Sequence, residues 1–326
     1  MAFMGREGRV FDGGLRTLRM VSWSLIGNRH TCSAVESILA ARCSCTHPNG
    51  SAPAHDPVVT HASIGSFVTV VLGMLTLGAP AADDGGGRAT LLVIAHPDDE
   101  SMFFAPALLC LARSLELHVL CLSTGDFDGL GAVRALELPR ACACLGVPGS
   151  RVRVLDDPLL LDGPRTLWPS DHIARLVEAQ LDASKAQRVI TFDAHGVSRH
   201  ANHIAVQSGV QLLAARQPNL RVYELRSTGI LRRHLGFCDV LLTMVEYWLH
   251  QWLPAALSAL RALLVGARRP RSKPRTEASA RMLVCVSLRP WTVHRAMLQH
   301  RSQYVWFRRL YVMVSGFVWV NTLLRR

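Results

Sequence analysis

The chain has 326 residues, which is enough for one sizeable α/β domain with extensions. Apolar residues make up 49% of it, a share that is high for a purely soluble enzyme and directs attention to membrane segments. The formal net charge is +12, but no nucleic-acid-binding motif accompanies this charge. We therefore expect no nucleic-acid partner, and a general attraction to anionic lipid head groups instead.

Two segments precede the regular part of the chain. Residues 1–61 mix Gly, Arg, Ser and Cys without periodicity and are expected to form a mostly disordered extension. Residues 62–82 contain no charged residue and are long enough to cross a bilayer, so we predict an N-terminal membrane segment, a transmembrane helix. A buried helix or a signal-like segment is the alternative. One arginine flanks the segment on each side, Arg42 and Arg88, so local charge does not set its orientation.

Short apolar runs alternate with helical patterns after residue 88. Runs of Leu, Val and Ile predict buried strands at 89–95, 117–122, 152–155, 188–192 and 221–225. Helices are predicted between them at 103–114, 132–145, 170–183 and 203–216, with Ser170 or Asp171 as the cap of the third. Because the loops are short, we expect a doubly wound, mainly parallel, Rossmann-like α/β sheet, in a catalytic domain made of 88–236 and 280–326.

An apolar and basic insertion, 237–279, interrupts this domain. Its first part, 237–266, is broken by Asp239, Glu246, His250 and Arg261, which makes it too polar for a membrane span and favours an interfacial helical hairpin. A basic, proline-containing loop follows. The last stretch, 303–324, mixes aromatic, Arg and apolar residues, and it either packs on the domain or lies on a membrane surface.

Acidic and imidazole side chains follow the predicted strands. In open α/β sheets the carboxyl ends of the strands form one edge, where ligands bind, so these side chains should converge. A purely structural protein has no reason to crowd unpaired carboxylates and histidines at one edge. In strand order, the residues concerned are His96, Asp98, Asp99 and Glu100; Ser123 to Asp126; Asp156, Asp157 and Asp162; and Asp193, His195, His200, Asn202 and His203.

Five of these residues predict a metal site: His96, Asp98, Asp99, His200 and His203. Two imidazoles and one carboxylate leave positions on Zn²⁺ open for water and substrate. A further carboxylate beside the metal can accept a proton from that water. The spacing does not decide which of Asp98 and Asp99 is the ligand. The alternatives are a capping or loop role for His96 and surface positions at a helix start for the other two histidines.

The run from Leu91 to Glu100 reads LLVIAHPDDE, directly after the start of a buried strand. This run resembles the opening motif of the N-acetylglucosaminyl-phosphatidylinositol de-N-acetylase family, which belongs to the LmbE-like superfamily. The similarity covers most of 89–312, and its final block resembles the eukaryotic, lipid-acting branch. Besides the opening run, the matching positions include Arg134, Glu137, Asp156, Asp162, Trp168, 189–193, 196–198, His200, Asn202, His203, 300–303 and 306–311.

The resemblance implies roles for the site residues. It implies that His96, Asp99 and His203 ligate zinc, or another divalent metal, and that Asp98 is the general base. His200 would support the tetrahedral intermediate as an oxyanion partner or acid.

Three further residues receive expected roles. Arg134 and Asp162 are implied to contact the substrate; the alternatives are a surface ion pair between Arg134 and Glu137, and a turn-forming Asp162. Asp193, at a strand end, is a candidate for orienting His200 or His203.

The family resemblance implies an enzyme that removes the acetyl group from N-acetylglucosaminyl-phosphatidylinositol, the second step in the assembly of glycosylphosphatidylinositol anchors. It implies the endoplasmic reticulum membrane, with the catalytic domain facing the cytosol; nine cysteines without zinc-ribbon spacing favour such a reduced domain. Membrane lipid is therefore an expected partner. The chain departs from the family at His195 and Arg199, where small residues are usual, and in the length of its insertion.

The sequence leaves two other functions open. One is a catalytically inactive membrane scaffold of the same fold, and the presence of every expected ligand and of the base argues against it. The other is a soluble deacetylase of N-acetylglucosamine conjugates. The candidate span at 62–82 and the aromatic, basic block near the carboxyl terminus argue against that function.

Overall fold

The computed structural model describes residues 88–163, 166–265 and 282–326. The predicted extension 1–61, the membrane segment 62–82 and the basic loop of the insertion lie outside these ranges. Within them, no helix is long and apolar enough to span a bilayer.

Seven strands form one mixed sheet in the order β3-β2-β1-β4-β5-β7-β6. The first five strands in the chain are parallel, as expected, with Leu92 of β1 facing Val119 of β2 and Ile190 of β4. The last two, which we did not predict, add an antiparallel edge beside β5. The strands are β1 Ala89–Ile94, β2 Glu116–Cys121, β3 Val152–Val154, β4 Arg188–Phe192, β5 Arg221–Leu225, β6 Met282–Val286 and β7 Val320–Arg325.

Helices cover the sheet and follow the prediction closely in its central part. The predicted helix at 103–114 is shorter, Ala105–Leu111, and Pro106 suits its first turn; a separate helical turn, Asp99–Met102, precedes it. Ser170 is helical itself and makes no cap. The helices are α1 Asp99–Met102, α2 Ala105–Leu111, α3 Gly131–Cys144, α4 Ser170–Ser184, α5 Gly196–Arg199, α6 Ala201–Arg216, α7 Ile230–Arg233, α8 Cys238–Val265, α9 Pro290–Met297 and α10 Trp306–Val314.

The predicted helical hairpin at 237–266 is wrong, because α8 is one continuous helix of 28 residues. Its sequence has no glycine at which a turn could form, and it is rich in Leu and Ala, which favour helix. The start of α8 is fixed to the domain by Arg232, which bonds Asp239 at 2.5 Å and Glu246 at 2.8 Å. Val240 packs on the antiparallel edge of the sheet.

The last part of the chain packs on the domain, which is one of the two expected outcomes. Strand β7 lies between β5 and β6, and Val312 of α10 is buried. The strand order reverses between β1 and β4, since β2 and β3 lie on one side of β1 while β5 lies beyond β4. The carboxyl ends of β1 and β4 therefore flank the crevice where open α/β sheets bind their ligands.

Candidate active site

Three histidines meet at this crevice. His96 follows β1, whereas His200 and His203 begin α6 behind β4. Each offers a ring nitrogen, and these nitrogens lie within 4.8 Å of one another. The ring centroids are 5.0 Å apart for His96 and His200, and 4.7 Å apart for His200 and His203. The cluster is compatible with a metal site, as the sequence predicted.

The orientation of His203 fits a cation. Its Nδ1 lies 3.1 Å from the carbonyl oxygen of Gly196, which can only accept, so Nδ1 carries a proton. Its Nε2 faces Asp99 Oδ1 at 3.2 Å, and its ring stacks on Phe192 with centroids 4.0 Å apart. An imidazole nitrogen and a carboxylate oxygen that face each other require a proton or a metal ion between them. A histidine held through its other nitrogen by a carbonyl is a common arrangement in metal sites.

Asp99 stays ionised in spite of its burial. Burial by itself raises the pKa of this carboxyl, but His203 and His96 hold the pKa well below the usual range. Its Oδ2 also accepts hydrogen bonds from the backbone N–H of Ala95 at 3.1 Å and of His96 at 2.9 Å. These bonds fix the carboxylate between the two histidines, as a metal ligand requires.

The side chain of Asp98 lies at the same site, but its surroundings differ from those of Asp99. Its backbone has φ 124°, a conformation that side-chain-bearing residues rarely adopt and that often marks functional sites. Its Oδ2 is buried and makes no hydrogen bond within the described ranges. Burial raises the pKa of Asp98, while Arg308 and Arg134, at 3.2 Å and 3.6 Å, oppose the rise. This buried carboxylate oxygen, which faces two guanidinium groups but forms no hydrogen bond with them, can accept a proton beside a cation site.

His200 is only partly buried, at the mouth of the cluster. Burial, together with the neighbouring His203 and His96, lowers the pKa of His200 to about 4, so the ring is neutral at neutral pH. Its Nδ1 accepts a hydrogen bond from the backbone N–H of Asn202 at 3.3 Å. The proton of the neutral ring therefore resides on Nε2, which makes His200 a hydrogen-bond donor.

Arg134 lies beneath the site and is buried. Its guanidinium donates to the carbonyl oxygens of Pro97 at 2.8 Å and Gly125 at 2.7 Å, and so joins the loops after β1 and β2. A Cβ at Gly125 would lie 2.4 Å from this guanidinium, which explains the glycine. The alternative of a surface ion pair with Glu137 is wrong, because Glu137 is buried and accepts two hydrogen bonds from Ser302 instead.

Asp162 reaches the cluster from the loop that follows β3. Its Oδ1 lies 3.2 Å from His96 Nε2 and 3.4 Å from the side-chain nitrogen of Asn202. Burial raises the pKa of Asp162, but the bond with His96 and the charge of Arg134 lower it below the usual value overall. Its side chain thus belongs to the site and does more than form a turn. The structure leaves direct substrate contact by Asp162 and Arg134 a prediction.

Not every acid that follows a strand joins the cluster. Asp193 does not orient His200 or His203: its carboxylate accepts from Ser227, through the backbone N–H at 2.7 Å and the hydroxyl at 2.6 Å, and from His195 N–H at 3.0 Å. The reason is that the chain turns sharply after β4 and brings Gly196, not Asp193, to the ring of His203. Asp157 instead pairs with His172, at 2.7 Å.

A buried ion pair between Glu100 and His300 supports the loop that contains Asp98. The sequence alone indicated no role for either residue. Glu100 Oε1 lies 2.6 Å from His300 Nε2, and both side chains are fully buried. Glu100 also accepts from Ser101 Oγ at 2.6 Å and from the backbone N–H of Asp98 at 3.1 Å. Both residues fall within blocks that resemble the family, which was the only signal in the sequence.

Comparison with known proteins gives one consistent result. The family profile described as GlcNAc-PI de-N-acetylase (PIG-L) matches residues 91–214. N-acetylglucosaminyl-phosphatidylinositol de-N-acetylase of Bos taurus is 36% identical over 244 residues, which cover 73% of this chain and 84% of the relative. A protein of Schizosaccharomyces pombe, named as a probable enzyme of the same kind, is 32% identical, with 73% of this chain and 87% of the relative covered.

A comparison with solved structures matches the N,N'-diacetylchitobiose deacetylase from Pyrococcus horikoshii. It shares 12% identity with this chain at a TM-score of 0.41, over 81% of this chain and 92% of that one.

Proposed function

Because the chain belongs to the GlcNAc-PI de-N-acetylase family, we propose that it removes the acetyl group from N-acetylglucosaminyl-phosphatidylinositol, as its relatives' names describe. This reaction would be the second step of glycosylphosphatidylinositol anchor assembly. One observation supports it above the others: Asp99, His203 and His96 converge next to Asp98, whose buried Oδ2 forms no hydrogen bond among the described residues. Metal-assisted hydrolysis of an amide uses this combination of a cation site and a base.

We infer that His96, Asp99 and His203 hold a divalent ion, which the donor set suggests is zinc. Asp99 Oδ1 faces His203 Nε2 at 3.2 Å, and its other oxygen lies 3.8 Å from His96 Nδ1. When bound, such an ion supplies Lewis-acid catalysis.

Asp98 acts as the general base. Its Oδ2 accepts the proton of the attacking water, and the guanidinium groups of Arg308 and Arg134, 3.2 Å and 3.6 Å from that oxygen, favour the ionised carboxylate that does so. The same Asp98 carboxyl can then return the proton to the leaving amine, so that water is added across the amide bond. The products are acetate and the free amine of the glucosaminyl lipid.

His200 stabilises the charge that develops on the amide oxygen. Its Nε2 proton is available because Nδ1 is occupied by the backbone N–H of Asn202. A fixed donor of this kind contributes most when it is aimed at the transition state, where the oxygen becomes negative. The neutral ring, with a pKa of about 4, donates without first having to gain a proton.

The lipid-borne substrate also implies a location. We propose the endoplasmic reticulum membrane, with the catalytic domain on the cytosolic side and residues 62–82 as the anchor. The exposed Arg199 and Arg309 are candidates for contact with the phosphodiester, since arginine suits phosphate geometry. Arg134 and Arg308, expected from the sequence for the same contact, are engaged by carbonyl oxygens and by Asp98 instead.

Release of acetate tests the proposal. One membrane preparation is given the glycolipid or free N-acetylglucosamine, each at saturation. Binding energy from the inositol phospholipid lowers the barrier at the amide, so the free sugar should react far more slowly and not merely bind more weakly. Equal efficiency on both would leave only a general deacetylase of N-acetylglucosamine conjugates. No acetate from either, with metal bound, would favour the inactive scaffold.

A further inference from the structure

Helix α10 presents an apolar face to solvent. Trp306, Leu310 and Met313 follow the i, i+4, i+7 spacing of one helical face, and their side chains are 75%, 50% and 59% exposed. The opposite face carries the buried Val312 and the half-buried Arg308. A helix that only covered a domain would bury its apolar stripe, so this helix is oriented with an apolar surface left for a partner.

A second apolar turn is exposed on α7. Ile230 and Leu231 of α7 are 74% and 84% exposed. The chain after α7 is joined to the end of α10, because Gly236 N–H donates to the carbonyl oxygen of Val314 at 2.9 Å. We name the exposed side chains of these two elements, Ile230, Leu231, Trp306, Phe307, Leu310 and Met313, the α7–α10 face.

The α7–α10 face borders the active site. On its inner side Arg308 of α10 reaches Asp98, with 3.2 Å between guanidinium and carboxylate. Arg233 of α7 donates to the carbonyl oxygen of Val197, in the loop between β4 and His200. An arginine therefore fixes each element of the face to a segment next to the candidate metal ligands: Arg308 to Asp98, beside Asp99, and Arg233 to Val197, in the short helix that precedes His200 and His203. Whatever binds the face lies close to the mouth of the site.

The charge and the residue types of the α7–α10 face indicate what kind of partner it binds. The chain carries a net charge of +12, and the exposed Arg309 lies beside the apolar stripe on α10. A second copy of this chain would bring like charges together. A helix with Trp, Phe and Leu on one face and arginines beside them suits the head-group region of an anionic bilayer, where the rings and aliphatic chains are buried and the guanidinium groups meet phosphate.

We propose that the α7–α10 face docks on a bilayer surface that contains anionic lipid and holds the mouth of the active site at the head-group level. The proposal rests on the proposed function, because only a lipid-borne substrate makes this placement useful. It adds a surface distinct from the segment 62–82: the anchor would keep the chain on the membrane, whereas the face would set the orientation of the domain.

Photolabelling of the full chain tests the face directly. The protein is reconstituted in vesicles of phosphatidylcholine and phosphatidylserine that contain a diazirine phospholipid reactive near the head group, and adducts are mapped by mass spectrometry. We expect adducts on the segments 230–237 and 305–314. Val133 and Leu136 of α3, which are 48% and 66% exposed, provide an internal control that should remain unlabelled.

A double variant separates docking from simple exposure. Trp306→Ser with Leu310→Ser should remove most adducts from 230–237, a segment whose own sequence is unchanged, whereas Val133→Ser with Leu136→Ser should not. Labelling of α10 no stronger than that of α3, or cross-links of α10 to a second copy in place of lipid, would overturn the proposal. The vesicles hold no sugar lipid, so these results are independent of deacetylase activity, which the acetate assay measures separately.

Discussion

The guanidinium of Arg308 lies 3.2 Å from the carboxylate of Asp98, although the two residues are 210 positions apart in the chain. Arg308 is held in place by Gln303, whose carbonyl oxygen accepts from its Nη1 at 3.1 Å and whose side-chain oxygen accepts a second bond. Asp98 Oδ2 makes no hydrogen bond of its own in the described part of the chain. The C-terminal helix α10 thus supplies a fixed positive charge to the candidate base.

Replacement of Arg308 should reduce the rate and leave the metal bound. Interactions of a charged pair of this kind contribute about 1.5–3 kcal/mol, so Arg308→Met should lower kcat by roughly 10–100-fold. Arg308→Lys should recover part of the loss, because it keeps the charge but not the paired bonds to Gln303. Steady-state kinetics and metal analysis of the purified variants measure both effects.

Arg140→Met provides the control, since Arg140 is exposed on α3 and should leave kcat unchanged. An Arg308→Met enzyme with normal kcat and a raised KM would show that Arg308 binds substrate and does not support Asp98.

Asp98 should be needed for rate and not for metal. A positioned base contributes about 10²–10⁴-fold, and Asp98→Asn should lose turnover by that order while it keeps its metal. Asp99→Asn should lose metal, because the Asp99 carboxylate lies between His203 and His96. If Asp98→Asn lost the metal and Asp99→Asn kept it, the roles of the two carboxylates would be reversed.

The two histidines of α6 should differ as the two aspartates do, one being needed for metal binding and the other for rate. His203→Ala should lose most bound metal, since its Nε2 faces Asp99 at 3.2 Å. His200→Ala should retain metal but turn over slowly, because it loses the donor for the amide oxygen. Metal content by mass spectrometry and far-ultraviolet circular dichroism of both variants separate ligand loss from unfolding. Full metal occupancy in His203→Ala would remove that residue from the site.

The sequence predicted those parts of the fold that depend on local pattern. The five parallel strands are found within one or two residues of their predicted bounds, because each is a short apolar run that ends at polar residues. The crowding of His96, Asp99, His200 and His203 also followed, since parallel strands bring their carboxyl ends to one edge.

Other features depend on contacts that no local pattern contains. The environments of Asp98 and Asp99 differ through a backbone angle of 124° at Asp98 and through two arginines beside it, one of them on α10. Glu100 and His300 are 200 positions apart. Asp193 binds Ser227 across the end of the sheet, so its distance from the histidine rings could not be read from its position after β4.

Membrane attachment should depend chiefly on residues 62–82. A chain that lacks residues 1–84 should become extractable by alkaline carbonate, which removes peripheral proteins but not those with a spanning helix. The full chain, treated identically, should stay with the membrane. Resistance of the shortened chain would move the anchor to 237–266 or to the carboxyl-terminal stretch.

The buried pair of Glu100 and His300 should stabilise the domain. Its two side chains are fully buried and 2.6 Å apart, so removal of one partner leaves the other without compensation. Loss of one partner of a buried ion pair costs roughly 3–5 kcal/mol, and Glu100→Leu should lower the free energy of unfolding by about this amount.

Glu116→Leu breaks an exposed pair with Arg151, also close at 2.8 Å, and should cost about 1 kcal/mol or less. Denaturant unfolding, followed by circular dichroism, compares the two. Equal midpoints would mean that the pair contributes little to stability. The conservative variant Glu100→Gln would then test whether Glu100 instead positions the backbone of Asp98, whose N–H donates to Glu100 at 3.1 Å.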